Sequence, residues 1–245
     1  MSETDLTAKR FIDRLRAVQS DAELAKIQRY FKAGAGEYGE GDTFLGVRMG
    51  DVFALAKEFI ELPPAEIERL LESHLHEVRA GGLSVMDKQA RRKKTPEFRR
   101  KELYDLYLGR MDRINNWDLV DVAAPFVVGG YLFAYDRPRD VLYELARSAN
   151  VWERRTAIAS TAYFLRQGEA DDTFRIGEVL LYDPEDIINK AVGGWLRVAG
   201  DIDRPRLLAL LDAHAARMPR VTLRFALEHF GADERAHYLG VRRES

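Results

Sequence analysis

Apolar residues recur at helical spacing along nearly the whole chain, and this pattern restricts the fold more than any other feature. Residues 7–18, for example, carry apolar side chains three or four positions apart at Phe11, Leu15 and Val18. Such spacing is typical of an amphipathic helix that buries one face. A Val/Phe-rich run at 126–133 is ambiguous, and no segment shows the alternation typical of a β-strand. The sequence therefore predicts an all-α protein.

Proline and glycine divide this pattern into predicted helices of roughly 10–16 residues. A proline pair at 63–64 opens one helix, and a glycine pair at 81–82 is predicted to end it. Proline fits the first turn of a helix, and glycine commonly follows the last turn. Residues 33–43 contain four glycines and are predicted to form a flexible loop. The last substantial helix is predicted at 221–230.

Three tryptophans mark a weak internal repeat. Trp117, Trp152 and Trp195 lie in separate predicted helices, and their spacings of 35 and 43 residues are close to the HEAT and armadillo period. We therefore predict a HEAT-like or armadillo-type α-solenoid, in which antiparallel helix pairs stack and form a concave face. A single domain is expected over residues 1–245. It would comprise N-terminal helices at 5–60, a repeat body at 63–230 and a short tail at 231–245.

The composition excludes several classes of protein. The chain contains no cysteine, so it forms no disulfide and offers no thiolate ligand or nucleophile. Its five histidines show no metal-binding spacing such as HExxH, and we predict neither a metal nor another cofactor. The N-terminus lacks a basic segment followed by an apolar run, and no stretch approaches the ~20 apolar residues of a membrane span. These features predict a cytoplasmic protein without a membrane partner.

The charged residues are distributed unevenly. A net charge of −2 argues against a uniformly basic protein but allows one basic surface. Seven basic residues fall within the eleven positions 91–101, namely Arg91, Arg92, Lys93, Lys94, Arg99, Arg100 and Lys101. Such a run is often a solvated helix end. The alternative is a phosphate-binding patch, for which arginine is well suited.

The segment 115–121 pairs an aromatic ring with a carboxylate at the start of a predicted helix. Asn116 is a good N-cap residue, and Trp117 and Asp121 are four positions apart, so both project from one helix face. A pair of this kind is suited to a cationic ligand. Alternatively, Trp117 anchors the core and Asp121 is an ordinary exposed or salt-bridged residue. Spacing alone leaves both interpretations open.

Three further segments combine aromatic, basic or small residues. In the first, Trp152 and Arg155 are neighbours on one helix face. The second, residues 190–197, contains paired glycines at 193–194, which cost roughly 1–2 kcal/mol of helix propensity and are best explained by close packing. The third, residues 217–224, places arginines at a helix N-terminus. Positive charge opposes the helix dipole there, so a nearby anion is favoured.

Four segments resemble, in order and spacing, the bacterial DNA alkylation repair family of AlkD-like enzymes. They are residues 44–48, 116–121, 152–155 and 189–193. The Trp-Asp-x-Val-Asp and Trp-x-x-Arg elements are the specific parts, and the resemblance covers roughly residues 25–230. It implies a HEAT-like-repeat DNA glycosylase that removes cationic N3- and N7-alkylpurines. In that family the damaged base is not flipped into a pocket, unlike in most base-excising enzymes.

The resemblance also implies roles for individual residues. Asp121 is the implied catalytic carboxylate, with Trp117 beside it and Arg155 as the arginine of the DNA-facing site. Tyr30 matches a family tyrosine near the lesion. Further contacts with DNA or the lesion are expected from Trp152, Arg154, Lys190, Arg197, Arg91, Arg92, Lys93, Lys94 and Arg220. The expected partner is double-stranded DNA that contains alkylated bases, bound by a monomer.

One position departs from the family pattern. The family has a second tryptophan directly after the glycine of Lys-Ala-x-Gly, whereas this chain has Gly194 there and Trp195 one residue later. A shift of one residue turns a helical side chain by ~100°, so Trp195 is not expected to replace it. Two alternatives therefore stay open: a non-catalytic HEAT-like protein that binds DNA structures, and a helical-repeat protein–protein scaffold.

The chemistry of an alkylpurine suits the implied residues. A positively charged base is already a good leaving group, so its removal needs no general acid. The developing oxocarbenium-like sugar needs a negative charge, which Asp121 supplies, and the same carboxylate can position or deprotonate the attacking water. Trp117 can stack on the cationic nucleotide, an interaction of ~0.5–2 kcal/mol. Arg155 can hold a phosphate, and the basic segments would make DNA binding salt-dependent.

Overall fold

The computed structural model describes residues 6–31, 34 and 40–241, and it confirms the all-α prediction. Within these ranges the regular structure is helical, and the only β-type pairing is an isolated bridge between Thr43 and Leu75. Most of the predicted loop at 33–43 lies outside the described residues.

The helices follow one another with short connections. They are α1 (Ala8–Arg16), α2 (Asp21–Tyr30), α3 (Met49–Glu58), α4 (Pro64–Leu71), α5 (His76–Arg91), α6 (Glu97–Gly109), a 3-10 helix (Met111–Arg113), α7 (Trp117–Ala123), a π-helix (Ala124–Gly129), α8 (Gly130–Ala134), α9 (Asp140–Leu145), α10 (Val151–Ser160), α11 (Ala162–Arg166), α12 (Asp171–Val179), α13 (Asp186–Ile202), α14 (Arg204–His214), α15 (Arg220–Ala226) and α16 (Ala232–Gly240). The chain divides into two compact units, Met1–Tyr131 and Leu132–Ser245.

The first unit is organised around α5. This helix packs against α3, α4 and α7, and nearly all of its residues are buried. Polar side chains share this burial, because His76, Glu77 and Arg79 are each at most 3% exposed. Buried polar groups require hydrogen-bond partners, so the first turns of α5 must be connected to neighbouring segments.

The glycine pair at 81–82 does not end a helix, and that sequence prediction is wrong. Helix α5 continues through both glycines, and the break falls before it, between α4 and α5. A Cβ atom on Gly81 would lie 2.5 Å from the Phe11 ring, and one on Gly82 would lie 3.1 Å from Leu70 Cβ. These glycines therefore allow neighbouring helices to approach α5 closely.

The Val/Phe-rich run at 126–133 is helical, and it begins inside the π-helix Ala124–Gly129. Pro125 explains the wider turn, because proline lacks an N–H donor and its ring clashes with a preceding carbonyl in a regular helix. Among the described residues, one stretch, Trp117–Ala134, is long and apolar enough to cross a membrane by composition alone, and 56% of it is buried inside the structure. We assign this stretch to the core.

The second unit is organised around α13, which packs against α10, α12, α14 and α15. It approaches α15 closely, because a Cβ atom on Gly193 would lie 2.5 Å from the Thr222 carbonyl oxygen. Close packing therefore explains this glycine, as the sequence predicts. The segment beyond residue 231, which the sequence predicts to be a tail, contains helix α16.

The two adjacent glycines of α13 are expected to respond oppositely to substitution. Gly193→Ala should lower the free energy of unfolding by about 1–3 kcal/mol, because the added carbon overpacks the contact with α15. Gly194→Ala should raise it by about 0.5–1 kcal/mol, since the new carbon has no atom within 4 Å outside its chain neighbours and the nearby backbone of its own helix, and alanine is the better helix former. Urea denaturation of both variants measures the difference. Equal effects would contradict the packing described for Gly193.

Candidate functional site

Helix α7 begins at the residue after Asn116, as predicted. The Asn116 side chain accepts a hydrogen bond from the Trp117 N–H at 2.8 Å. Its amide group donates to Asp42 Oδ2, also at 2.8 Å. Asn116 is fully buried, so both bonds are shielded from water. The cap therefore fixes the start of α7 and connects it to the segment that precedes α3.

Aromatic rings form a wall beside α7. The Phe31 and Trp117 rings stack with their centroids 5.6 Å apart, and the Tyr30 ring meets Trp117 edge-on at 5.8 Å. Phe31 also stacks on Phe44 at 5.2 Å. Phe31 and Phe44 are buried, whereas Tyr30 is 65% exposed and Trp117 is partly exposed. Tyr30 and Trp117 therefore present aromatic surface that a ligand can reach.

A cavity of about 720 Å³ opens at this wall, and we call it the α7 pocket. Its lining includes Tyr30, Phe31, Phe53, Trp117, Asp118 and Asp121. The surface is mostly apolar and carries two carboxylates, while the lining ammonium group of Lys26 is paired with Glu23 at 2.8 Å. Aromatic faces beside carboxylates favour a flat ligand with a positive charge. The pocket thus brings together three predicted site residues, namely Tyr30, Trp117 and Asp121.

One of the two pocket carboxylates is connected to a buried histidine. His76 Nε2 lies 2.8 Å from Asp118 Oδ2, and His76 Nδ1 lies 3.2 Å from Asp42 Oδ2. Phe31 and Phe44 cover the imidazole, with centroid distances of 4.8 and 4.9 Å. Two ionised carboxylates can only accept hydrogen bonds, so His76 must donate from both nitrogens. This arrangement requires the imidazolium form.

The pKa values of this network agree with that requirement. Burial lowers the pKa of His76, but hydrogen bonds and charge from Asp118 and Asp42 outweigh burial and raise it from 6.5 to about 9. For Asp42, burial raises the pKa. Hydrogen bonds from His76 and Asn116, together with the charges of His76 and Arg79, outweigh it and lower the pKa from 3.8 to about 2. At neutral pH, His76 is therefore protonated and Asp42 ionised.

Arg79 and Asn115 hold the second oxygen of Asp42. Arg79 Nη2 donates to Asp42 Oδ1 at 2.7 Å and to Asn115 Oδ1 at 3.0 Å. Asn115 Nδ2 also donates to Asp42 Oδ1, at 3.0 Å. The Arg79 and Asp42 side chains are only 4% and 2% exposed. Asp42 is thus fixed from several directions, and it fixes His76 in turn.

The segment 44–48 is held by Glu77, a buried acid of α5. The Glu77 carboxylate accepts hydrogen bonds of 2.8, 2.8 and 3.2 Å from the backbone N–H groups of Leu45, Gly46 and Val47. Gly46 has a φ of +84°, and a Cβ atom there would lie 2.6 Å from the Ser20 carbonyl oxygen. Both facts require glycine at this position.

The sequence pattern indicates no functional role for Asp42, His76 or Asp118. The available signal was weak: His76 stands beside an acid inside the helix predicted from 63 to 82, and its two partners lie 34 and 42 positions away. The histidine serves an ion-pair network here. Among the described residues, no group of three or more His, Asp or Glu side chains is arranged to hold a metal ion.

The aromatic and arginine residues predicted at 152–155 lie in the second unit and are engaged with neighbouring groups. Trp152 and Arg155 are each 9% exposed, and Arg155 Nη1 donates to the Ile187 carbonyl at 2.9 Å. Arg154 makes two hydrogen bonds, of 2.6 and 3.2 Å, to the carboxylate of Asp183. The DNA contacts expected of these three residues stay predictions.

Three other predicted DNA contacts of the second unit also have intramolecular partners. Lys190 pairs with Asp186 at 2.6 Å on α13, and Arg197 pairs with Glu228. Arg220 Nη2 donates to the Leu239 carbonyl oxygen at 2.6 Å. A DNA phosphate would have to compete with or add to these bonds. Beside them on α13, Trp195 is partly buried.

The basic run at 91–94 is partly neutralised within the first unit. Arg91 makes two bonds of 2.8 Å to Asp87, and its guanidinium lies 3.6 Å from the centre of the Phe126 ring. Arg92 pairs with Glu61. The other two basic residues of the run, Lys93 and Lys94, are exposed. They are the residues of this run best placed for a phosphate.

Comparison with known proteins identifies the class to which this fold and site belong. The model of the DNA alkylation repair enzyme family matches residues 11–230. The chain therefore belongs to the DNA alkylation repair enzyme family, as its four motif segments predict. This membership supports a role as an enzyme of DNA repair with DNA as its partner. No curated protein shows significant sequence similarity to the chain.

Solved structures share the fold at low sequence identity. One, described as a predicted DNA alkylation repair enzyme from Enterococcus faecalis, has a TM-score of 0.67 at 16% identity and covers 87% of this chain and 97% of its own. Another, AlkD2 from Streptococcus mutans, has a TM-score of 0.52 at 15% identity and covers 92% of this chain and 98% of its own. These similarities confirm the predicted all-α, HEAT-like fold.

Proposed function

We propose that the protein is a DNA glycosylase that hydrolyses the N-glycosidic bond of cationic N3- or N7-alkylpurines in duplex DNA without flipping the base. The observation that carries the proposal is the α7 pocket, where Tyr30, Trp117 and Asp121 line one cavity. Aromatic faces and carboxylates match a ligand that is both flat and positively charged. Because the chain belongs to the DNA alkylation repair enzyme family, we take the cationic ligand of this pocket to be an alkylated purine.

Asp121 has the chemistry that the reaction needs. The bond between C1′ and the base nitrogen breaks, and its electron pair neutralises the positive charge of the base. Positive charge then develops on the sugar, and the Asp121 carboxylate stabilises it in a mostly apolar pocket, where such effects are strong. The oxygen of a water molecule bonds to C1′, and Asp121 accepts the released proton. Trp117 and Tyr30 stack against the damaged nucleotide and hold it in place.

Affinity for the duplex would come from basic side chains that reach phosphates. Lys93 and Lys94 are exposed, and we assign them to the DNA backbone. The phosphate contact that the family resemblance implies for Arg155 stays a prediction. Such contacts release counterions, so affinity for DNA should fall as the salt concentration rises. The monomeric state and the cytoplasmic location stay predictions.

A non-catalytic DNA-binding protein of the same fold is the second candidate. The observation that favours it is Gly194, since this position is open in the structure and lacks the tryptophan of the family pattern. Without that second aromatic ring, the protein would bind DNA but would bind a damaged nucleotide less tightly. The helical-repeat scaffold is the third possibility, and nothing in the α7 pocket favours it.

Two measurements on one substrate separate these candidates. Duplex DNA containing 7-methylguanine is incubated with the protein, and both DNA affinity and free base are measured at two salt concentrations. The glycosylase proposal predicts salt-dependent binding and release of the base above the buffer level. Binding without release would favour the non-catalytic protein. No salt-dependent binding at all would favour the scaffold.

A further inference from the structure

One carboxylate oxygen of Asp118 lacks a hydrogen-bond partner at the α7 pocket. Asp118 Oδ1 is buried, and no donor among the described residues reaches it, whereas Oδ2 lies 2.8 Å from His76 Nε2. Buried carboxylate oxygens normally accept a hydrogen bond, because desolvation without a partner is unfavourable. The position of Oδ1 therefore fits a donor from outside the described residues, such as a water molecule.

The orientation of Asp118 is set by a buried chain of hydrogen bonds. His76 is 1% exposed and connects Asp118 to Asp42, which is itself held by Arg79 and Asn116. Rotation of the Asp118 carboxylate would break its bond to the imidazolium. The orientation of Oδ1 is therefore fixed before a substrate binds. Such preorganisation reduces the free energy needed to reorient polar groups during a reaction.

Asp118 also stands close to the proposed reacting centre. It precedes Asp121 by three positions on α7, and both side chains line the α7 pocket together with Trp117. Residues three positions apart are neighbours on a helix surface. If Asp121 faces the sugar of a bound nucleotide, Asp118 faces the space immediately beside it.

We propose that Asp118 Oδ1 accepts a hydrogen bond from the water molecule that attacks C1′ and orients this water for hydrolysis. The inference rests on the proposed glycosylase function and extends it to a second carboxylate. The water oxygen bonds to C1′ as the bond to the base nitrogen breaks, and the electron pair of that bond leaves with the base. The proton lost by the water passes to Asp121.

The two carboxylates take different roles in this step. Asp118 is held by the hydrogen bond of its Oδ2 to His76 Nε2 at 2.8 Å, so its Oδ1 is suited to accept a hydrogen bond from a water molecule. Asp121, which also lines the α7 pocket, keeps the role of proton acceptor that the proposed function gives it. Water is preferred over an N–H group of the base as the donor to Asp118, because every hydrolysed substrate needs water.

The test is single-turnover release of 7-methylguanine by wild type, Asp118→Asn and Asp51→Asn. Asp51 is an exposed acid of α3 outside the α7 pocket, so its variant controls for the loss of one negative charge. We expect Asp118→Asn to lower the rate constant on the order of 100-fold, as for a misplaced reactant. The affinity for the methylated duplex should stay unchanged, and Asp51→Asn should match wild type.

A second readout identifies the water itself. In buffer that contains methanol, a held water molecule restricts capture of C1′ by the alcohol. The share of sugar product that carries a methoxy group should therefore rise several-fold in Asp118→Asn. An unchanged rate in Asp118→Asn would overturn the inference, and so would a slower rate with an unchanged methoxy share. A wild type that releases no base would overturn the proposed function, and this inference with it.

Discussion

Replacing Asp121 by asparagine is expected to lower the single-turnover rate of 7-methylguanine release by at least about 100-fold. Asparagine has the same shape but carries no charge, so it cannot stabilise the developing sugar cation or accept the proton of the attacking water. The effect should appear in the rate constant and leave DNA affinity near that of wild type. A lower rate constant at unchanged DNA affinity distinguishes a residue that takes part in the reaction from one that only binds the duplex.

The control for Asp121→Asn is Asp51→Asn, which removes the same charge from the first unit outside the α7 pocket. Its rate should equal that of wild type. Urea denaturation should give similar free energies of unfolding for both variants. If Asp121→Asn releases base as fast as Asp51→Asn does, Asp121 is not the catalytic carboxylate.

Raising the pH from 7 to 10 is expected to remove about 2–3 kcal/mol of wild-type stability through His76. The folded state raises the pKa of this histidine from 6.5 to about 9. The stabilisation is therefore fully present below pH 6.5 and is lost as the pH rises through about 9. Deprotonation leaves a lone pair of the imidazole facing a carboxylate oxygen, because Asp42 and Asp118 can only accept.

The variant His76→Gln isolates this contribution. Its free energy of unfolding should be lower than that of wild type at pH 7, and the difference should shrink towards pH 10. His74→Gln is the matched control, since His74 is exposed and only two positions away. It should follow the wild-type profile. Wild-type and His76→Gln profiles that run parallel between pH 7 and 10 would contradict the imidazolium assignment.

Features that depend on local sequence could be predicted well. The helical class follows from the spacing of apolar residues, and the start of α7 follows from the capping ability of Asn116. Trp117 and Asp121 share a pocket because four positions on a helix place them on one face. Tyr30 could be assigned to the site only through the family resemblance. Its ring contact with Trp117 is a tertiary contact between α2 and α7, which local sequence does not predict.

Several features that depend on tertiary packing could not be predicted. The glycines at 81–82 read as a helix end, yet each makes room for a neighbouring side chain within α5. The network around His76 joins this residue to partners 34 and 42 positions away in the sequence. The spacing of apolar residues along the chain does not predict contacts between such distant positions. Arg154 illustrates the same limit for charge. The resemblance implies a DNA contact for this residue, which stays a prediction, but it gives no sign of the two hydrogen bonds to Asp183.

The most direct test of the central claim is a count of both reaction products from duplex DNA that contains 7-methylguanine. Hydrolysis of the glycosidic bond predicts one free 7-methylguanine for each apurinic site formed, with both appearing at the same rate in wild type. Loss of the methyl group without release of the base would exclude glycosidic hydrolysis as the reaction of this protein. So would bound DNA that yields neither free base nor apurinic sites above the level in buffer.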